Sequence, residues 1–236
     1  MSRIISSFIG LSFVLLIIFI LFLSKNQFKL TSAVPLSEKI TVIIDAGHGG
    51  EDGGTSSSDG TLEKDLNLQI ALKLRSMLEM SGYNTLMIRE GDVQLGDTSL
   101  GTIRQRKVSD IRTRLKITED NPQAILISIH QNHYSSPTYK GLQVFFSPNN
   151  INSKFLADCI QSKAVELIQN DNKRTIVQTG SNIYLLYNST IPSVMVECGF
   201  MSNEEESKLL KDYYYQQKIA FSIMCGIQKY LEENNG

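Results

Sequence analysis

Two histidines and two glutamates stand where chemistry can use them. His48 lies in Ile43-Ile44-Asp45-Ala46-Gly47-His48-Gly49-Gly50, His130 follows Ser128-Ile129, and Glu197 follows Val194-Met195-Val196. Glu63 opens a stretch of helical periodicity. Two imidazoles and one carboxylate can hold a zinc ion and leave a position for water, whose pKa then falls toward neutrality. A further carboxylate can take the proton from that water and hand it to a leaving amine. Spacing does not settle which acid does which job. Glu63, close in sequence to the His48 loop, could fold back onto the metal. Glu197 projects from a rigid strand whose apolar surroundings could raise its pKa. The competing reading is a buried acid paired with a base such as Arg89. His133, three residues beyond His130, is an alternative ligand. Its loop position makes it, with Asn132, a residue lining the site.

The elements that must position these groups follow from hydrophobic pattern. Residues 39–44 are a short β-branched run, as in a strand buried on both faces, and end in a glycine-rich loop carrying His48. Leu66, Ile70, Leu74, Met77 and Leu78 recur at helical spacing, with Asp65 as the expected N-cap and Gly82 as the stop. Further strands are predicted at 85–89, 124–129, 141–147, 183–186 and 193–196. Helices are predicted at 108–118 and 153–168, after Asn203, and at 213–231, with residues 90–106 as a loop. Arg112, Arg114 and Lys116 read as a solvated helix face. Strands and helices largely alternate, which implies an α/β fold: one mostly parallel twisted sheet of about six strands with helices on both faces. Three sheet strands then end in His48, His130 and Glu197, at the edge where open α/β sheets place their ligands.

Composition narrows the partners. The formal net charge of the 236 residues is −1, so there is no basic excess for nucleic-acid binding. Cys159, Cys198 and Cys225 form no CxxC pair and read as small buried hydrophobes. Residues 4–23 carry no charge and are long enough to cross a bilayer as a helix. Residues 1–24 therefore read as an N-terminal membrane anchor or signal, 25–38 as a linker, and 39–236 as one catalytic domain.

The chain resembles the zinc-dependent N-acetylmuramoyl-L-alanine amidases of the amidase-3 type. The matching stretches are Ile43 through Gly50, Glu63-Lys64-Asp65, Ser128 through Asn132, and Val196 through Asn203. The resemblance implies that His48, Glu63 and His130 bind one zinc ion and that Glu197 is the catalytic glutamate. It also implies cleavage of the amide between N-acetylmuramic acid and L-alanine in peptidoglycan, the partners being a glycan strand and its stem peptide. Ala46 stands where the family usually has proline, and His133 where it usually has a small residue. One anchor and one catalytic domain, without wall-binding repeats, is similar to the small sporulation amidases of the CwlD type. Those act outside the membrane on spore cortex, on the way to muramic-δ-lactam. Only residues 148–152 separate the fourth strand from the next helix. No built-in plug is therefore expected, and control falls to expression or to an activating protein partner.

Three other readings are weaker. A serine or cysteine hydrolase lacks a G-x-S-x-G elbow, and Cys198, next to Glu197 on a strand, should face away from it. A non-catalytic wall-binding module would not need two histidines and two glutamates in this arrangement. The residue 47–54 loop lacks the lysine and hydroxyl of a phosphate-binding P-loop.

Overall fold

The computed structural model describes residues 40–234. The expected anchor at 1–24 and the linker at 25–38 lie outside them, as do Lys39, Asn235 and Gly236 of the expected catalytic domain. Among the described residues, no helix is long and apolar enough to cross a membrane.

The strands are β1 (Thr41–Ala46), β2 (Asn84–Met87), β3 (Ile125–Asn132), β4 (Gln143–Phe146), β5 (Val177–Gln178) and β6 (Ser193–Phe200). The helices are α1 (Glu63–Met80), α2 (Ile103–Glu119), α3 (Asn152–Leu167), α4 (Tyr184–Asn188), α5 (Glu204–Lys211) and α6 (Tyr213–Asn234). One sheet runs β2-β1-β3-β6-β4-β5. β1, β2, β3 and β6 are mutually parallel. β4 pairs antiparallel with β6, and β5 lies parallel to β4. The expected α/β architecture is therefore observed, with two short strands reversed at one edge.

Alternate residues of the central strands feed two cores, as the period of two requires. Val42, Ile44, Ile127, Ile129, Val194 and Val196 pack beneath α1, α3 and α6. Ile43, Leu126 and Met195 face the thinner layer formed by α2 and α4, with Leu115, Leu185 and Leu186. The same parity sends Asp45, Ser128, His130, Glu197 and Gln143 toward that thinner layer. At the carboxyl edge of β3 and β6 it leaves polar side chains where the apolar cover has ended.

Four local expectations are corrected. Asp65 does not cap α1. The helix begins at Glu63 with Leu62 as N-cap and no side-chain cap. Its first N–H groups are satisfied by main chain instead: Glu63 donates to Thr55 O at 2.9 Å and Lys64 to Gly53 O at 3.2 Å. The glycine loop thus caps the helix and brings Glu63 back to it. Residues 183–186 are not a strand: Ile183 is the N-cap and 184–186 the start of the short helix α4, with buried Leu185 and Leu186 between exposed Tyr184 and Tyr187. Short apolar runs do not distinguish strand from buried helix by themselves. The expected loop at 90–106 ends early, because Thr102 and Gln105 form a capping box that starts α2 at Ile103. Arg114 of α2 is not on a solvated face; it is 2% exposed.

Candidate active site

β1 stops at Ala46 and the chain turns through Gly47 into His48, which has a left-handed backbone (φ 62°). That is an uncommon conformation for a residue with a Cβ. Two buried arginines hold it. Arg89 donates from Nε to Ala46 O (2.7 Å) and from Nη2 to Gly47 O (3.0 Å) and Lys64 O (2.8 Å). Arg114 donates to Ala46 O (3.0 Å) and His48 O (2.7 Å). Its charge is matched by Asp45 on β1 and Asp110 on α2. Burial alone would raise the Asp45 carboxyl, but Arg114 and the hydroxyl of Ser128 hold it below the usual carboxylate range. Arg89 binds main-chain carbonyls and makes no ion pair with Glu197, so the alternative reading of Glu197 as its partner is not what the fold contains.

On this platform His48, Glu63 and His130 meet. One ligand-type atom from each lies within 4.8 Å of the others. Glu63 Oε1 is the focus, 3.2 Å from His48 Nε2 and 2.9 Å from His130 Nδ1. Gln131 N (3.1 Å) also donates to Oε1, and Thr55 N (2.9 Å) donates to Oε2, so the carboxylate is aimed from both ends. His48 Nδ1 donates to Asp52 Oδ2 at 2.9 Å, and Lys107 holds the other oxygen of Asp52 at 2.7 Å. This is the outer-shell carboxylate that fixes the tautomer and orientation of a metal-binding imidazole. Burial would lower the His48 pKa, yet Asp52 and Glu63 raise it to about 9. Burial would likewise raise Glu63, and His130 and His48 hold it well below the carboxylate range. Gly47 makes room for the ring of His130: a Cβ there would sit 2.2 Å from Nε2.

Glu197 is the cross-strand partner of His130, and Gln143 on β4 is the cross-strand partner of Glu197. The three side chains therefore form a row on one face. Just beyond, the β3–β6 register shifts between His130 and Asn132, a bulge of the kind that re-aims side chains beside a site. Glu197 Oε2 is buried without a hydrogen-bond partner. Burial pushes its carboxyl up to about 7, opposed by His130 and supported by Glu63. Beside the cluster a cleft of about 300 Å³ is lined by His48, Asp52, His130, Lys107 and Tyr184 among others. A larger hollow of about 790 Å³ along the outer side of α2 contains none of these groups, so donor chemistry rather than size locates the site.

Asn132 is half-buried at the end of β3, and its main-chain oxygen accepts from Met201 N at 2.8 Å. His133 is exposed and is not in the three-donor cluster. Cys198 faces the opposite core, where burial pushes its thiol pKa up, so it is unsuited to act as a nucleophile. Sequence reading missed Asp45, Arg114, Asp52 and Asn67. Asn67 Nδ2 ties Gly47 O (3.1 Å) to Glu63 Oε1 (3.3 Å). The available signals were an acid inside a buried strand and an asparagine one turn after Glu63 in α1.

The donor set fits a divalent metal ion. It offers two nitrogens and an oxygen converging from three elements, an outer-shell carboxylate on one imidazole, and a second carboxylate alongside with an unpartnered oxygen. Such a set at the edge of an α/β sheet is suited to metal-assisted hydrolysis. The chain is a member of the N-acetylmuramoyl-L-alanine amidase family, whose pattern it matches over residues 42–229. It is 36% identical over 228 residues to the germination-specific N-acetylmuramoyl-L-alanine amidase of Bacillus subtilis, covering 94% of each chain. It is 26% identical to the amidase AmiA of Escherichia coli, covering 81% of this chain and 76% of that one. Among solved structures it resembles the CwlD amidase of Clostridioides difficile, determined in complex with the GerS lipoprotein. That match has a TM-score of 0.79 and 42% identity, covering 82% of this chain and 99% of that one. The protein is thus an enzyme that hydrolyses the N-acetylmuramoyl-L-alanine amide of peptidoglycan.

Proposed function

We propose that the amidase is zinc-dependent, with His48, Glu63 and His130 holding the ion and Glu197 moving the proton. The observation that carries this is the placement of Glu63 Oε1 between two imidazole nitrogens, with the unpartnered Oε2 of Glu197 on the neighbouring strand. Zinc bound there would supply a Lewis acid for the scissile carbonyl and would acidify water. The protein supplies the rest. Asp52 orients His48, and Gln131 N and Thr55 N orient Glu63. Glu197, with a pKa near 7, takes a proton from the attacking water and returns it to the L-alanine nitrogen as the amide breaks. Asn132 and His133 line the approach of the substrate.

The biological setting belongs to the same proposal. The acting site is spore cortex, where removal of stem peptides precedes muramic-δ-lactam formation. This is supported by similarity to the germination-specific amidase and to CwlD. The apolar run at 4–23 anchors the domain on the outer side of the membrane. An activating protein is a further expected partner, since the CwlD relative was solved with a lipoprotein. The same chemistry in vegetative wall turnover is the second reading, supported by similarity to AmiA.

The test is digestion of purified peptidoglycan followed by mass spectrometry for peptides beginning in L-alanine, alongside zinc analysis. Glu197→Gln is expected to keep the metal and to lose about 10²–10⁴-fold in turnover. His48→Ala is expected to lose the metal. Normal turnover by Glu197→Gln would remove that residue from the mechanism.

A further inference from the structure

The row of residues that carries the site does not stop at Glu197. Gln143, directly opposite Glu197 on β4, uses its side-chain oxygen to accept from both Nε and Nη2 of Arg174. Its amide donates to Thr175 O at 2.8 Å. The Arg174 guanidinium also stacks on Phe200 at the end of β6, with Cζ 4.8 Å from the ring centroid. Phe200 is flanked in turn by Tyr139, centroids 6.2 Å apart. Arg174 is therefore fixed by a hydrogen-bonded fork and by an aromatic face, yet it is half-exposed.

What it lacks is a counter-charge. Among the described residues, no carboxylate lies within ion-pair distance of Arg174. Glu206 and Glu197, the two shifted carboxylates that sense its charge, are otherwise engaged. Glu206 accepts from Phe200 N at 2.7 Å and from Gly141 N at 2.9 Å. Glu197 is the group proposed to carry the proton, and a bonded guanidinium would hold it ionised. By contrast, the well-buried Arg89 and Arg114 spend their donors on main chain and on Asp45 and Asp110. Arg174 instead keeps Nη1 without a hydrogen-bond partner among the described residues, on a guanidinium already held in place.

Resting on the amidase reading, the geometry points to Arg174 as the residue that binds a carboxylate of the stem peptide downstream of the scissile amide. Adjacent strands lie about 4.8 Å apart, so Gln143 is about 10 Å from His130 across the sheet. An extended peptide covers that distance in roughly three residues. A free carboxylate on the second or third residue of the stem falls in this range when L-alanine is held at the cluster. A planar guanidinium is the side chain suited to such a carboxylate.

The probes are N-acetylmuramoyl-L-alanyl-D-γ-glutamyl-L-alanine with free carboxylates and the same compound with both carboxylates as carboxamides. The corresponding released peptides are titrated calorimetrically into wild type, Arg174→Met and Arg174→Lys, and turnover is measured on the full compounds. Wild type is expected to bind the acidic peptide about tenfold or more tightly than the diamide, the range for a charge-assisted hydrogen bond. Arg174→Met keeps an apolar contact with Phe200. It should lose that discrimination, raise KM for the acidic substrate by the same factor, leave kcat within about twofold, and leave the diamide unchanged. Arg174→Lys should restore part of the preference. Equal binding of both peptides by wild type, or an equal loss on both in Arg174→Met, would overturn the assignment. Charge-selective binding without cleavage of either compound would instead sink the amidase reading and leave the carboxylate site standing.

Discussion

A single methyl group at residue 47 should dismantle the three-donor cluster while sparing the fold. A Cβ on Gly47 would lie 2.2 Å from His130 Nε2 and 2.3 Å from Cε1. Ordinary contacts between such atoms are about 3.5 Å, so something must retreat by about 1 Å. The main chain of Gly47 cannot easily do so. Its N–H donates to Ile129 O at 3.0 Å, and its carbonyl accepts from Arg89 and Asn67. The imidazole must therefore leave the position in which it meets Glu63. Metal sites tolerate about 0.2 Å of ligand displacement, and disturbing even an outer-shell partner costs about 10–100-fold in affinity. Gly47→Ala is therefore expected to weaken zinc binding by about 100-fold or more, read by competition with a chromophoric chelator. The far-ultraviolet circular dichroism should be unchanged. An affinity within threefold of wild type would show that His130 is not held where a ligand must be, and would refute the reasoning.

Two other substitutions probe the supports. Asp52→Asn should lower zinc affinity by about 10–100-fold, because His48 loses the carboxylate that orients it; the same chelator competition reads this. Arg114→Met leaves Asp45 buried without its cation and should cost about 3–5 kcal/mol in urea unfolding. The linkage has a definite sign. The Asp45 carboxyl is held below its ordinary value in the fold, so its contribution is complete above an unfolded pKa of about 3.9 and is lost as pH falls through the folded value. Wild-type stability should thus drop on acidification below about pH 4, and Asp45→Asn should flatten that drop.

Much of this was legible because buried parallel strands announce themselves and their polar ends stand out. β1, β3 and β6 are apolar runs closed by His48, His130 and Glu197, and the helical spacing after Glu63 left little choice for α1. The supporting residues were harder to read. Arg114 sits among Arg112 and Lys116, so its sequence neighbourhood is that of a solvated helix face. Only contact across 69 positions with Asp45 reveals it as buried. An acid within a buried strand does demand a partner, and Asp45 could have prompted the search for one. Asp65 looked like a cap because side-chain capping is the local rule, whereas α1 is capped by carbonyls of the preceding loop. Residues 183–186 are too few for periodicity to separate strand from helix. The two-residue β5 lies below the length at which a pattern exists.

The grip on Ala46 has a consequence for how the loop can vary. Both arginines converge on that one carbonyl oxygen, Arg89 at 2.7 Å and Arg114 at 3.0 Å. A proline at position 46, usual in the family this chain resembles, would stiffen the turn from within by locking φ. Here stiffness is imposed from outside by two cations bolted to the peptide unit. The shape of the turn thus hangs on two side chains some forty to seventy positions away along the chain, and losing either would be felt at His48.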